Sequence, residues 1–368
     1  MCLKGGNTVP NELKWVPRGC ASGWRKLVGR AVVGPEFGTT FDVAVIWDEE
    51  RYKMWFSWRP LRSIAYTEST DAVHWTRPRV VLTGVFGSPW EGDEVNRPTV
   101  VKKDGVYHMW YTGQMFTKEN QMARSCIGYA VSTDGIHWER RERPVLQPET
   151  AWEKYCTMCP HVLWDEEAKR YKMWYSAGEM AESDAIGYAE SNDGIVWTKH
   201  PANPVFVPTD ENQWEVTKVQ ACYVLKRNDG WYYMFYLGIG DTYYAFCSLA
   251  RSRDGICGWE RHPDNPIVAG DDGMWDFGSV CKVCVLEEAD RYIMFYNGVN
   301  AGGEQLGVAE HPGKDLFPAE LDNHIPERGQ PVGYKAVTNY YYHQYNFADR
   351  LVEFSAPEGK DVSQCPRL

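Results

Sequence analysis

The sequence predicts an all-β protein, a five-bladed β-propeller, on three observations. A five-residue phrase recurs five times: Tyr52-Lys-Met-Trp-Phe56, Tyr107-His-Met-Trp-Tyr111, Tyr171-Lys-Met-Trp-Tyr175, Tyr232-Tyr-Met-Phe-Tyr236 and Tyr292-Ile-Met-Phe-Tyr296. The first tyrosines stand 55 to 64 residues apart, too far for an α-solenoid repeat and suited to a four-stranded blade with generous loops. A turn phrase follows four of the copies, as in Ser132-Thr-Asp-Gly-Ile-His-Trp138.

Each copy reads as a blade in the same order. A Trp-acid pair marks entry in four of them: Trp90-Glu91, Trp152-Glu153, Trp214-Glu215 and Trp275-Asp276. A first strand follows, predicted at 42–46, 97–101, 159–163, 220–225 and 282–286. A polar turn such as Lys102-Lys-Asp-Gly105 leads into the Tyr-x-Met-Trp-Tyr strand, making a β-hairpin. Alternation puts both Tyr and the Met on one face and the Trp or Phe on the other, so this strand must be covered on both sides. The third strand reads Ile64-Ala-Tyr66, Ile127-Gly-Tyr129, Ile186-Gly-Tyr188 and Leu306-Gly-Val308. In the turn, Asp accepts backbone N–H groups and Gly takes positive φ, which makes Asp71, Asp134, Asp193 and Asp254 scaffold. Short outer strands end the copies, as in Asn203-Pro-Val205 and Asn265-Pro-Ile267.

The propeller, read as the catalytic domain, therefore spans residues 37–317. The fifth copy lacks the Asp-Gly turn and its outer strand, leaving an edge that another segment must cover. Residues 27–33, within an N-terminal segment 1–36 able to close the ring, are preferred over the tail at 334–354. The remaining tail, 318–368, is expected to pack on the propeller.

Composition narrows the function. Aromatic residues make up 14% of the chain against 43% apolar in all, so rings supply blade packing first and ligand stacking second. A net charge of −11 opposes binding to phosphate backbones or anionic lipid. The expectation is a cytoplasmic protein with a small carbohydrate as partner, and neither nucleic acid nor membrane. The start lacks the apolar run of a signal peptide, and no stretch has the length of a spanning helix. Eleven cysteines, several inside strand patterns, read as reduced structural thiols. Cys156/Cys159 and Cys281/Cys284 are isolated pairs without zinc spacing, so no cofactor is called for; a structural cation in the funnel is left open.

In a propeller the first strands converge on one axial funnel. Side chains that differ between blades there are functional candidates, and residues shared by every blade are scaffold. Aligning on the residue before Pro98 and Pro160 gives Asp42, Arg97, Cys159, Gln220 and Lys282, a set suited to an oxygen-rich ligand. Two cations favour an acidic or phosphorylated one. His161, at the end of a first strand, is either a hydrogen-bonded structural residue or a ligand contact. Glu94 and Glu36 are unique to their copies and lie just upstream of first strands, where each reads equally as a surface carboxylate.

The repeated Tyr-Lys-Met-Trp-Tyr, Ile-Gly-Tyr-Ala and Ser-x-Asp-Gly-Ile-x-Trp phrases, with trailing Asn-Pro-Val, resemble the five-bladed propeller glycosidases of glycoside hydrolase families 32, 43 and 130. The resemblance covers about three quarters of the chain. It implies glycoside cleavage, with a first-blade acid as base or nucleophile and a third-blade glutamate as proton donor. Asp42 matches the first by position. The third-blade motif, Glu-Cys-Pro or Glu-Gly-Pro-His in the family, stands here as Met158-Cys159-Pro160-His161, and the second-blade aspartate is Arg97. The Glu-Asp-Pro-Arg signature of family 130 is not visible. Cleavage needs two carboxyl groups roughly 5–9 Å apart, so Asp42 requires a new partner, with Glu94, Glu36 and Glu215 as candidates in that order. Arg97, Lys282, Gln220, His161 and Glu36 are the expected substrate-binding residues. A non-catalytic carbohydrate-binding propeller and an inverting phosphorylase are the alternatives to a hydrolase.

Overall fold

The computed structural model describes residues 13–116, 122–179, 182–240, 244–300, 303–317 and 329–333. Regular structure there is all strand apart from three single 3-10 turns. No helix among these residues is long and apolar enough to cross a membrane.

Two strands, β1 (Leu13–Pro17) and the short β2 (Arg25–Lys26), precede a series of antiparallel meanders. The first meander holds β3 (Thr40–Asp48), β4 (Arg51–Trp58), β5 (Ser63–Ser69) and β6 (Arg79–Thr83). The second holds β7 (Glu94–Lys103), β8 (Val106–Phe116), β9 (Met122–Ser132) and β10 (Glu139–Arg140). The third comprises β11 (Cys156–Asp165), β12 (Arg170–Gly178), β13 (Ala185–Ser191) and β14 (Thr198–Lys199), joined to the second by a single parallel bridge, Cys156 to Ser125. Next come β15 (Lys218–Lys226), β16 (Tyr232–Ile239), β17 (Ala245–Ser252) and β18 (Glu260–Arg261). The last set is β19 (Ser279–Glu287), β20 (Arg291–Asn300) and β21 (Gly303–Pro312), to which β2 adds as the outer strand. A final strand, β22 (Gly329–Gly333), pairs with β1. The rest of the tail expected to pack on the propeller lies outside the described residues.

Strand β2, just before the expected 27–33, adds to the outer edge of the fifth copy. Arg25 and Lys26 pair with Glu310 and Ala309 of β21, and the Leu27 and Val32 amides continue the contact to Val308 and Leu306.

The recurrent phrase explains how neighbouring sheets lock. Met54, Trp55 and Phe56 are fully buried, as are their counterparts Met109, Trp110 and Tyr111. Trp55 Nε1 donates to the Gly135 carbonyl in the turn of the next sheet at 2.8 Å, Trp110 to Gly194 at 2.8 Å and Trp174 to Gly255 at 2.7 Å. A Cβ on Gly135, Gly194 or Gly255 would come within 2.9 Å of that indole, so the turn glycine serves the tryptophan as well as its own positive φ. Copies four and five carry Phe235 and Phe295 instead. Phe235 faces the copy with no Asp-Gly turn, and Phe295 packs with Ala72, where the first turn has a side chain in place of glycine. The turn aspartates are scaffold: Oδ1 of Asp134 accepts from the Ile136 and His137 amides, both at 2.8 Å, and the other three copies repeat this.

The core lies between facing sheets, in clusters that combine residues of consecutive meanders. First strands contact each other in the order β3, β7, β11, β15, β19 and back to β3.

Candidate active site

The site is built on a repeated irregularity. In each first strand the ladder to the second strand skips two residues: Asp42 and Val43, Arg97 and Pro98, Cys159 and Pro160, Ala221 and Cys222, Cys281 and Lys282. These bulges re-aim side chains out of the regular alternation. Asp42, Arg97, Cys159 and Ala221 have φ between 49° and 53°, a conformation costing a non-glycine residue about 1 kcal/mol or more. The preceding sheet supports it. The amides of Arg97, Cys159 and Ala221 donate to the hydroxyls of Ser57, Thr112 and Ser176 at 2.7, 3.1 and 2.8 Å.

This register corrects the sequence alignment in two sheets. The counterparts of Asp42 are Ala221 and Cys281, whereas Gln220 precedes its bulge and Lys282 follows the shifted residue. A strand without proline at the bulge gave the alignment no anchor.

Asp42, Arg97, Gln220 and Lys282 nevertheless line one cavity of about 520 Å³, its open mouth included. Glu182 and Arg59 join them from the connections between second and third strands, and Glu304 from the start of β21. Arg97 Nε lies 3.1 Å from Asp42 Oδ2, both side chains nearly buried. Lys282, also buried, donates to the Pro98 carbonyl of β7 at 3.3 Å.

The other expected residues stand elsewhere. Glu94 is buried and bonds to Asn96 Nδ2 at 2.8 Å, while Asn96 Oδ1 accepts from Arg97 at 2.9 Å. Glu94 thus reaches the cavity only through Asn96 and Arg97. Glu215 pairs with Arg261 of β18 and does not line the cavity. It repeats Glu91 with Arg140, Glu153 with Lys199 and Asp276 with Lys26, each an acid tied to a cation on an outer strand. Tyrosine hydroxyls of the second strands complete three of these pairs at 2.7 to 2.9 Å. That fourfold role makes Glu215 scaffold. His161 Nε2 faces the Val224 carbonyl at 2.9 Å, its ring centroid is 4.3 Å from that of Tyr223, and burial pulls its pKa down to about 3. It is a neutral structural imidazole outside the cavity lining. Glu36 sits exposed on the 3-10 turn Pro35–Phe37, also outside the lining.

Two acids that the sequence did not single out change the chemistry. Burial pushes the Glu182 carboxyl above its ordinary pKa, against the opposing pull of Gln220 and Arg97. Burial likewise raises Glu304 to about 7, with Arg59 opposing and Asp42 contributing. Burial works against the Arg97 cation, yet the surrounding acids Asp42, Glu94 and Glu182 hold its pKa above the usual arginine value. The cavity thus sets a carboxylate in an ion pair beside two carboxyl groups whose burial favours the protonated form, the combination general acid–base catalysis uses. Among the described residues no group of three His, Cys, Asp or Glu is spaced to hold a metal ion, and the nine described cysteines are free thiols.

The profile of the family described as "Glycosyl hydrolases family 43" matches residues 33–311, most of the chain. The chain belongs to glycosyl hydrolases family 43. Among its relatives, an uncharacterized protein of Mycobacterium tuberculosis is 28% identical over 218 residues, covering 57% of this chain and 69% of that one. A 1,2-beta-oligomannan phosphorylase of a Thermoanaerobacter species is 24% identical over 302 residues, 77% of this chain and 96% of that enzyme. A solved glycoside hydrolase superposes with a TM-score of 0.64 at 20% identity over 84% of this family 43 chain and 96% of its own, which establishes likeness of fold.

Proposed function

We propose that this family 43 protein is a divergent glycoside hydrolase that cleaves a small oligosaccharide or glycoside in the axial cavity of a five-bladed propeller. The five meanders are its blades, with β2 completing the last. The observation behind the mechanism is that Asp42 and Glu182 line one cavity from sheets one and three. Glu182 replaces the proton donor that the family resemblance placed at Met158, from the same sheet but from the connection after β12 rather than from strand β11. It donates its proton to the glycosidic oxygen as the C–O bond breaks, while Asp42 takes a proton from the attacking water. Arg97 holds Asp42, and Lys282 and Arg59 bind sugar oxygens.

A second reading, inverting phosphorolysis, is favoured by one feature: Arg59, Arg97 and Lys282 converge on the cavity, and guanidinium groups suit phosphate. The oligomannan phosphorylase relative points the same way. Turnover of aryl glycosides and manno-oligosaccharides, with and without phosphate, tests both. The hydrolase reading expects phosphate-independent turnover that falls by several orders of magnitude in Asp42→Asn while sugar binding persists. Strict phosphate dependence supports the second reading. Near-parental hydrolysis by Asp42→Asn removes Asp42 from the mechanism, and sugar binding without any turnover leaves a carbohydrate-binding protein.

A further inference from the structure

Gln220 holds the Glu182 segment at two points. It lies on β15 just before the bulge and is 3% exposed. Its Oε1 accepts from the Ser183 backbone N–H at 3.0 Å, and its Nε2 donates to Glu182 Oε2. Because a backbone N–H can only donate, the amide oxygen must face Ser183, and the amide nitrogen is then obliged to face Glu182. The amide has no alternative flip. Lys218, two residues earlier and on the same face of β15, donates to the Glu182 carbonyl at 2.6 Å and to Asp184 Oδ1 at 2.8 Å. One strand thus holds the main chain and the carboxyl group of a single short segment.

Resting on the assignment of Glu182 as proton donor, we propose that Gln220 is a positioning residue that fixes the rotamer of Glu182 and confines its acidic proton to Oε1. A carbonyl oxygen is a better acceptor than a hydroxyl oxygen, so an N–H aimed at Oε2 favours the form in which Oε2 is the carbonyl-type oxygen and the proton sits on the other one. A carboxylic acid free to rotate presents its proton in several directions, whereas this one presents it in a single direction. Positioning of this kind changes turnover more than binding.

Gln220→Met keeps the shape and removes both hydrogen bonds. Gln220→Glu keeps the acceptor for Ser183 but turns an oxygen toward Glu182. A ¹³C titration of the Glu182 carboxyl, its resonance identified by its loss in Glu182→Gln, reads the contact directly and needs no substrate. The N–H bond favours the ionised form, so the Glu182 pKa is expected to rise in the order wild type, Gln220→Met, Gln220→Glu. The basic limb of the kcat/KM profile should move up with it, and kcat should fall about 10- to 100-fold with little change in KM. An unmoved titration in both folded variants overturns the proposal even where Glu182→Gln is inactive. Full turnover by Glu182→Gln would instead overturn the proton-donor assignment, whatever the titration shows.

Discussion

Arg97 and Asp42 occupy the same bulge position of successive sheets, and their side chains meet at 3.1 Å. The arginine therefore does more than vacate the place where the family resemblance expected an aspartate. It neutralises and aims the acid one sheet away, and Asn96 and Glu94 brace it from behind.

Arg97→Met should leave the Asp42 carboxylate buried and unpaired. Removing one partner of a buried pair costs roughly 3–5 kcal/mol, a loss a urea midpoint detects. Arg97→Lys should recover part of it, since a lysine keeps the charge but not the planar fork.

The attachment of β2 to the last meander rests on an equally local contact. Lys26 Nζ lies 2.6 Å from Asp276 Oδ2, and the aspartate is fully buried. It repeats on β2 what Arg140, Lys199 and Arg261 do within their own sheets. Lys26→Met should destabilise the protein by about 3 kcal/mol or more. Lys169→Ala, which removes an ion pair with Glu166 exposed on both sides, should leave the unfolding midpoint unchanged.

Glu304 links stability to pH. Its folded pKa of about 7 lies above the ordinary 4.5, so the folded state holds the proton more tightly than the unfolded chain does. The associated stabilisation is fully present below about pH 4.5 and is lost as pH rises to about 7. Its size is on the order of 3 kcal/mol. Glu304→Gln keeps an amide against Asn297 and cannot titrate. The drop in unfolding free energy between pH 5 and pH 8 should therefore be smaller in the variant than in the wild type.

The sequence was most legible where side chains repeat. Tyr-x-Met-Trp-Tyr and Asp-Gly sit where expected, and even the change from Trp to Phe in copies four and five follows what the next turn offers. Asp42, Arg97, Gln220 and Lys282 were visible because first strands can be aligned, although the alignment slipped where no proline marks the bulge. Met158 read as a missing acid, and the structure shows why that position is lost to the site: its side chain is buried in an apolar cluster with Cys156, Leu237 and Ile239. Glu182 was missed because second-to-third strand connections differ in length and offer no register to align, and Glu304 because it stands at the very start of β21, ahead of the residues that repeat. Their one available signal was closeness to the third-strand phrase, four residues before Ile186 and two before Leu306.

The central claim is that Glu182 protonates the leaving group across the cavity from Asp42. Glu182→Gln assayed on aryl glycosides of graded leaving-group acidity tests it most directly. An alkyl or phenol leaving group needs the proton, so its hydrolysis should fall by about 10²- to 10⁴-fold, whereas a dinitrophenolate leaves unaided and should be cleaved at close to the parental rate. Equal losses for both classes, or no loss for either, would contradict the account.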